Sequence, residues 1–176
     1  MVSAYIDHKL NSGKILRTFS KDVLTEEEQK ELLRRVSTKF GHKTKFLSNV
    51  IPEEQTGIEI DLTETNLVND FKTIVCNQVK KYYGSEYDSN NWWVSISNPT
   101  TTVISHKHMD GGLSAVFYLQ AEGDCGAFEL EDYSEILQPR TGDLLIFPGY
   151  CYHKVSENKS NKSRICLVFD LEKANK

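Results

Sequence analysis

The chain has little cysteine, no long apolar run and no excess of positive charge. Its four cysteines, Cys76, Cys125, Cys151 and Cys166, show no C-x-x-C spacing, and the N-terminus lacks the charged, apolar and cleavage regions of a signal peptide, so reduced thiols in a cytoplasm are expected. No stretch approaches the roughly 20 apolar residues needed to span a bilayer, which argues against a membrane anchor. A formal charge of -4 with pI near 5.8 argues against a dedicated nucleic-acid binder. Internal repeats, low-complexity tracts and Pro/Gly linkers are also missing.

What is present is an ordinary globular composition: 176 residues, 39% hydrophobic and 26% charged, with a mean hydropathy of -0.46. This length predicts a single domain spanning 1–176, large enough to keep a core without disulfides or a structural metal. Any metal site is therefore free to be functional. Residues 1–50 carry ten Lys and Arg against six acids, and residues 51–176 carry eleven against nineteen; the basic front reads as solvated helix surface.

The chain divides into a helical support, 1–90, and a stranded core, 91–172. Thr25 to Glu28 forms a capping-box pattern, followed by Leu32, Leu33, Val36 and Phe40 at helical spacing and by Gly41 as a stop, which predicts a helix over 25–40. A second helix is predicted over 65–83 from Leu67, Phe71, Ile74, Val75, Val79 and Tyr82, with Gly84 as its stop. From Trp92 onward, short runs rich in β-branched and aromatic residues predict strands at 92–97, 101–107, 113–120, 126–131, 143–147 and 164–170. Gly-rich turn signals separate them. The expected class is α+β, mainly β: an antiparallel sandwich or barrel with helices packed on one sheet. The polar stretch 42–62, with Pro52 and Gly57, reads as a loop over the active site.

Five histidines are present, His8, His42, His106, His108 and His153, and the last three fall in the stranded region. Residues two apart on a strand share a face, so His108 and Asp110 can offer a nitrogen and a carboxylate oxygen to one ion. His153, just past the Pro148-Gly149 turn, can supply a third ligand. Two histidines and one carboxylate form the facial arrangement of non-haem Fe(II) oxygenases, which leaves three positions open for a 2-oxo acid and O2. Arg164 opens the apolar run Ile165 to Phe169, and a buried guanidinium there needs a carboxylate partner, as the tail of a dicarboxylic acid would provide. His106 shares the His108 face of a regular strand and is read as a neighbour of the site rather than a ligand.

In the order and spacing of these elements, residues 93–171 resemble the Fe(II)- and 2-oxoglutarate-dependent dioxygenases, in particular small prolyl-hydroxylase-like members of bacteria and phages. The resemblance rests on Trp93-Val94, the H-x-H-x-D run from His106 to Asp110, Leu113 to Leu119, Gly142 to Pro148, His153 to Val155, and Arg164 to Cys166. It implies a double-stranded β-helix, a cupin-like jelly roll with the metal at one open end. It also implies His108, Asp110 and His153 as iron ligands, with Arg164 and Tyr118 holding the distal carboxylate of 2-oxoglutarate. Cys166 departs from the serine common two residues after the arginine, and a thiol is a poorer donor. The implied reaction is hydroxylation of a C–H bond in a peptidyl, amino-acid or other small substrate, consuming O2 and releasing succinate and CO2. Two alternatives stay open: a cupin-type metalloenzyme, although the glutamate expected after its histidine pair is missing, and a non-catalytic jelly-roll binding module.

Overall fold

The computed structural model describes residues 16–18, 24–40, 55–58 and 66–174. The capping box closes as expected. The Glu28 carboxylate accepts from the Thr25 backbone N–H and hydroxyl, both at 2.8 Å, and the Glu28 N–H donates to the Thr25 hydroxyl oxygen at 3.3 Å. Those bonds hold the Glu28 carboxyl below its usual range and start helix α1, Glu26–Phe40. Leu32 is buried, and so is Gln29, whose side-chain amide donates to the Leu119 carbonyl at 3.4 Å.

Helix α2, Asn66–Tyr83, buries Phe71, Val75 and Val79 at four-residue steps along one stripe. Gly84, at φ 69°, ends it, and its N–H donates to the Lys80 carbonyl; a residue with a Cβ would be strained in that left-handed conformation. Gly41 and the side chains of Val36, Phe40 and Leu67 lie outside the described residues.

Both helices cover the larger of two antiparallel sheets. Its strands are β1 (Leu16–Thr18), β2 (Gln55–Ile58), β3 (Tyr87–Ser97), β5 (Leu113–Gln120), β8 (Leu144–Pro148) and β10 (Arg164–Lys173), in the order β1-β8-β5-β10-β3-β2. The smaller sheet runs β4-β9-β6-β7, with β4 at Val103–His106, β6 at Phe128–Leu130, β7 at Glu135–Leu137 and β9 at His153–Val155. The six expected strands are all found, 113–120 with the expected ends and the other five with shifted ends. β1, β2, β7 and β9 were not expected. Each is three or four residues long, too short for an alternating pattern to register. β2 also corrects the reading of 42–62 as a loop over the site: residues 55–58 pair with Val94–Ser97 at the edge of the large sheet, and the rest of that stretch lies outside the described residues.

Period-two alternation sorts the core into two layers. Ile165, Leu167, Phe169 and Leu171 of β10 join Phe117, Leu119, Ile146 and Phe71 in the layer under the helices. Cys166 and Val168 point the other way, into a second layer with Tyr118, Phe128, Leu130, Phe147 and Val155 that draws on both sheets. The mainly β architecture is thus two antiparallel sheets with the helices on the outer face of one. Arg164 and Asp170 share the inward-facing register of Cys166 and Val168, and the functional groups gather between the sheets.

Candidate metal centre

The strand that carries His106 ends at that residue. Beyond it the chain is held by the Pro148-Gly149 turn, whose Gly149 carbonyl accepts from the N–H groups of His108 and Met109 at 3.0 and 3.3 Å, while the Gly149 N–H donates to Gly112 O at 2.9 Å. The approach is close: a Cβ on Gly149 would lie 2.7 Å from Met109 Cγ. Leaving the ladder turns both His106 and His108 inward and turns Asp110 outward. The Asp110 side chain is 83% exposed and pairs with Lys107 at 2.6 Å. Regular alternation, which would set Asp110 beside His108, does not extend that far.

His106, His108 and His153 come together instead, one ring nitrogen of each lying within 4.8 Å of the others. His106 faces His153 across the β4–β9 ladder. The tautomers follow from the partners. His106 Nδ1 lies 2.8 Å from the Ile104 carbonyl and His153 Nδ1 lies 3.0 Å from the Cys151 carbonyl. A carbonyl only accepts, so both Nδ1 atoms carry protons. His108 Nδ1 lies 2.6 Å from Asp170 Oδ1, a carboxylate acceptor. Each ring therefore keeps its Nε2 lone pair free.

The Nε2 atoms of His106 and His108 are 3.3 Å apart. Two nitrogens bound to one ion at about 2.1 Å and at right angles would be roughly 3.0 Å apart, so the pair fits adjacent ligand positions. With both protons on Nδ1, the two lone pairs face each other with no hydrogen between them, and a cation would fit there. Burial favours the neutral rings that ligation needs: it pushes the His153 pKa down to about 3, with His106 nearby adding to the effect, and lowers that of His106. The donor set thus fits a divalent metal.

Aromatic side chains wall the cluster. Phe128 stacks on His153 at 5.3 Å, Phe147 meets it edge-on at 5.0 Å, and Trp93 lies 5.4 Å from the His108 ring. These rings limit water on the core side and restrict the imidazoles.

Arg164 sits at the other end of the same layer and is 3% exposed. One Nη donates to the Cys125 carbonyl at 2.6 Å and the other to the Ser97 hydroxyl at 2.8 Å. Among the described residues no carboxylate pairs with it, so the buried cation keeps unused donors. Tyr118 is 1% exposed, and its hydroxyl makes no hydrogen bond to any described residue. Burial raises its pKa well above the usual phenol range, and the group remains a neutral donor near the guanidinium. Cys166, beside both, is pushed up to about 12 by burial and stays a thiol. A buried guanidinium with spare donors beside a neutral hydroxyl suits a carboxylate.

Residues 131–170 match the family described as "Putative 2OG-Fe(II) oxygenase". Among solved structures the chain is similar to the viral collagen prolyl hydroxylase of Paramecium bursaria Chlorella virus-1 in its 2OG complex, with a TM-score of 0.68 and 14% identity over 91% of this chain and 96% of that one. The chain has the 2-oxoglutarate oxygenase fold. A Trichoplax adhaerens prolyl hydroxylase, solved with a hypoxia-inducible-factor peptide, gives a TM-score of 0.70 at 16% identity over 93% of this chain and 86% of that one. The epimerase SnoN, solved with Fe3+, alpha-ketoglutarate and a nogalamycin compound, gives 0.72 at 11% identity over 91% and 79%. No curated protein matches the chain. Identities this low speak for the oxygenase fold, and these relatives span peptide and small-molecule ligands, so the substrate is left open by them. No helix among the described residues is long and apolar enough to cross a membrane.

The sequence nominated His108, Asp110 and His153 as ligands and gave His106 a neighbouring role; the structure clusters His108 and His153 with His106, turns Asp110 outward, and sets Asp170, which was not singled out, against the His108 ring. The signal for Asp170 was available: on an interior strand, Arg164, Cys166, Val168 and Asp170 fall on one face by alternation, and a carboxylate in that row has to meet something.

Proposed function

We propose that the protein is an Fe(II)- and 2-oxoglutarate-dependent oxygenase that hydroxylates a C–H bond, with His106, His108 and His153 holding the metal and Arg164 and Tyr118 binding the distal carboxylate of the cosubstrate. The observation that carries this reading is the pair of Nε2 lone pairs 3.3 Å apart, with all three Nδ1 protons directed to acceptors. Iron, when bound, would activate O2, which is the oxidant; 2-oxoglutarate would give up two electrons in becoming succinate and CO2, and the substrate C–H bond the other two, with one oxygen atom ending in succinate and one in the alcohol.

The chain's own contribution is placement. Arg164 and the Tyr118 hydroxyl offer a charge-assisted and a neutral hydrogen bond to one carboxylate, fixing which end of a 2-oxo diacid points at the histidines. Trp93, Phe128 and Phe147 keep the imidazoles packed and limit water beside them. Peptidyl or free amino acids and other small molecules are the substrate classes in keeping with the fold.

A second ligand set, His108, Asp110 and His153, is supported by the H-x-D order and by how little holds Asp110 outward, a solvent-screened ion pair with Lys107. It requires the carboxylate to turn inward and displace His106.

The reading is tested by calorimetric titration of 2-oxoglutarate into protein loaded with Mn(II) under argon. Binding of one 2-oxoglutarate per chain that requires the metal, with succinate binding more weakly because it lacks the keto oxygen, is the expected result. Metal bound without any 2-oxoglutarate affinity would favour a cupin-type enzyme, and no metal binding would leave a binding module.

A further inference from the structure

We propose that Asp170 is a positioning residue of the metal centre: its carboxylate fixes the His108 tautomer and supplies, one ring away from the ion, the negative charge that three neutral imidazoles lack. This rests on reading the histidine cluster as the metal site. Asp170 lies on the inward face of β10, and its Oδ1 is 2.6 Å from His108 Nδ1, the two side chains being 11% and 7% exposed. Neighbouring strands orient the carboxylate. Asn91 of β3 donates to Oδ2 at 3.1 Å, and the Ser114 hydroxyl of β5 donates to Oδ1 at 3.4 Å while lying 3.1 Å from His108 Nδ1.

No Lys or Arg among the described residues pairs with Asp170. Burying a carboxylate without a cation is costly, and here the available route to one runs through the imidazole. A divalent ion on His108 Nε2 provides it: the carboxylate strengthens the ring's donation to the metal, and the metal compensates the carboxylate. The arrangement also accounts for Asp110 lying outside the cluster. A carboxylate ligand would bring one negative charge directly onto the ion, and Asp170 brings the same charge from behind a ligand.

Asp170→Asn keeps the shape and an acceptor oxygen but removes the charge. Anaerobic Co(II) titration against a competing chelator should show roughly 10- to 100-fold weaker binding than wild type, and the visible ligand-field band of the bound Co(II) should shift, a change that a purely structural role would not cause. Wild-type affinity with an unshifted band overturns the proposal and leaves the metal reading standing; absence of one Co(II) per chain in wild type overturns both. Should Asp170→Asn not fold, Asn91→Ala removes an exposed side chain that orients Oδ2 and should weaken Co(II) several-fold, with unchanged affinity counting as refutation.

Discussion

Arg164 and Asp170 stand on the same inward-facing register of β10, separated by Cys166 and Val168, one presenting a buried cation and the other a buried anion to the layer between the sheets. Among the described residues neither pairs with a side chain of fixed opposite charge. The strand thus presents two buried charges to the layer between the sheets, Asp170 against the His108 ring and Arg164 against a hydroxyl and a carbonyl, which suits a dianionic cosubstrate at one end and a divalent metal at the other.

Arg164→Ala should weaken 2-oxoglutarate about 10- to 150-fold, corresponding to roughly 1.5 to 3 kcal/mol for lost charge-assisted bonds, while Mn(II) affinity stays near wild type. Arg164→Lys should recover only part of the loss, because a point charge cannot reproduce the guanidinium fork held by Ser97 and the Cys125 carbonyl. Calorimetry with each ligand separately checks both. Equal losses for metal and cosubstrate would make Arg164 a structural residue.

Gly126 explains how the chain comes so near that guanidinium. Its φ is +90°, and a Cβ there would meet the Ser156 carbonyl oxygen at 2.2 Å and Arg164 Nη1 at 2.8 Å. Gly126→Ala should cost about 1 to 3 kcal/mol and lower the melting temperature by roughly 2 to 10 °C, with weakened 2-oxoglutarate binding in whatever protein still folds. A wild-type melt would show that the turn relaxes freely.

The thiols should be slow to react. Burial raises Cys151 to about 11 and Cys166 to about 12, and also raises Cys125 and half-buried Cys76. A raised pKa leaves less thiolate at a given pH, so at pH 8 the ionised fraction of Cys151 is on the order of 10⁻³ and that of Cys166 about 10⁻⁴. Iodoacetamide mass mapping of native protein at pH 8 should label Cys76 first and leave Cys166 unmodified until denaturant is added. Prompt labelling of Cys166 would contradict its burial.

What the sequence revealed, and what it did not, follows from the range of the forces involved. The Thr25–Glu28 box and the Phe71, Val75, Val79 stripe are local patterns, and both helices form where those patterns put them. The long strands β5 and β10 bury one residue after another and read as apolar runs. β7 and β9 owe their pairing to neighbours distant in sequence, and three residues carry too little periodicity to announce it. The site divides in the same way. His108, His153, Arg164 and Tyr118 were nominated from motif order; the first two lie in the histidine cluster and the other two are buried. The opposite orientations of His106 and Asp110 depend on where β4 leaves its ladder and on the Gly149 carbonyl that captures the next two amides, contacts that no spacing rule encodes.

The most direct test of the three-histidine centre is an anaerobic titration of purified protein with Fe(II) and then 2-oxoglutarate, following the visible metal-to-ligand charge-transfer band of the chelated 2-oxo acid in wild type, His106→Ala and Asp110→Ala. The band should appear in wild type and in Asp110→Ala at similar Fe(II) concentrations and be lost or strongly weakened in His106→Ala. A band that survives in His106→Ala and vanishes in Asp110→Ala would contradict the account and place the carboxylate on the metal.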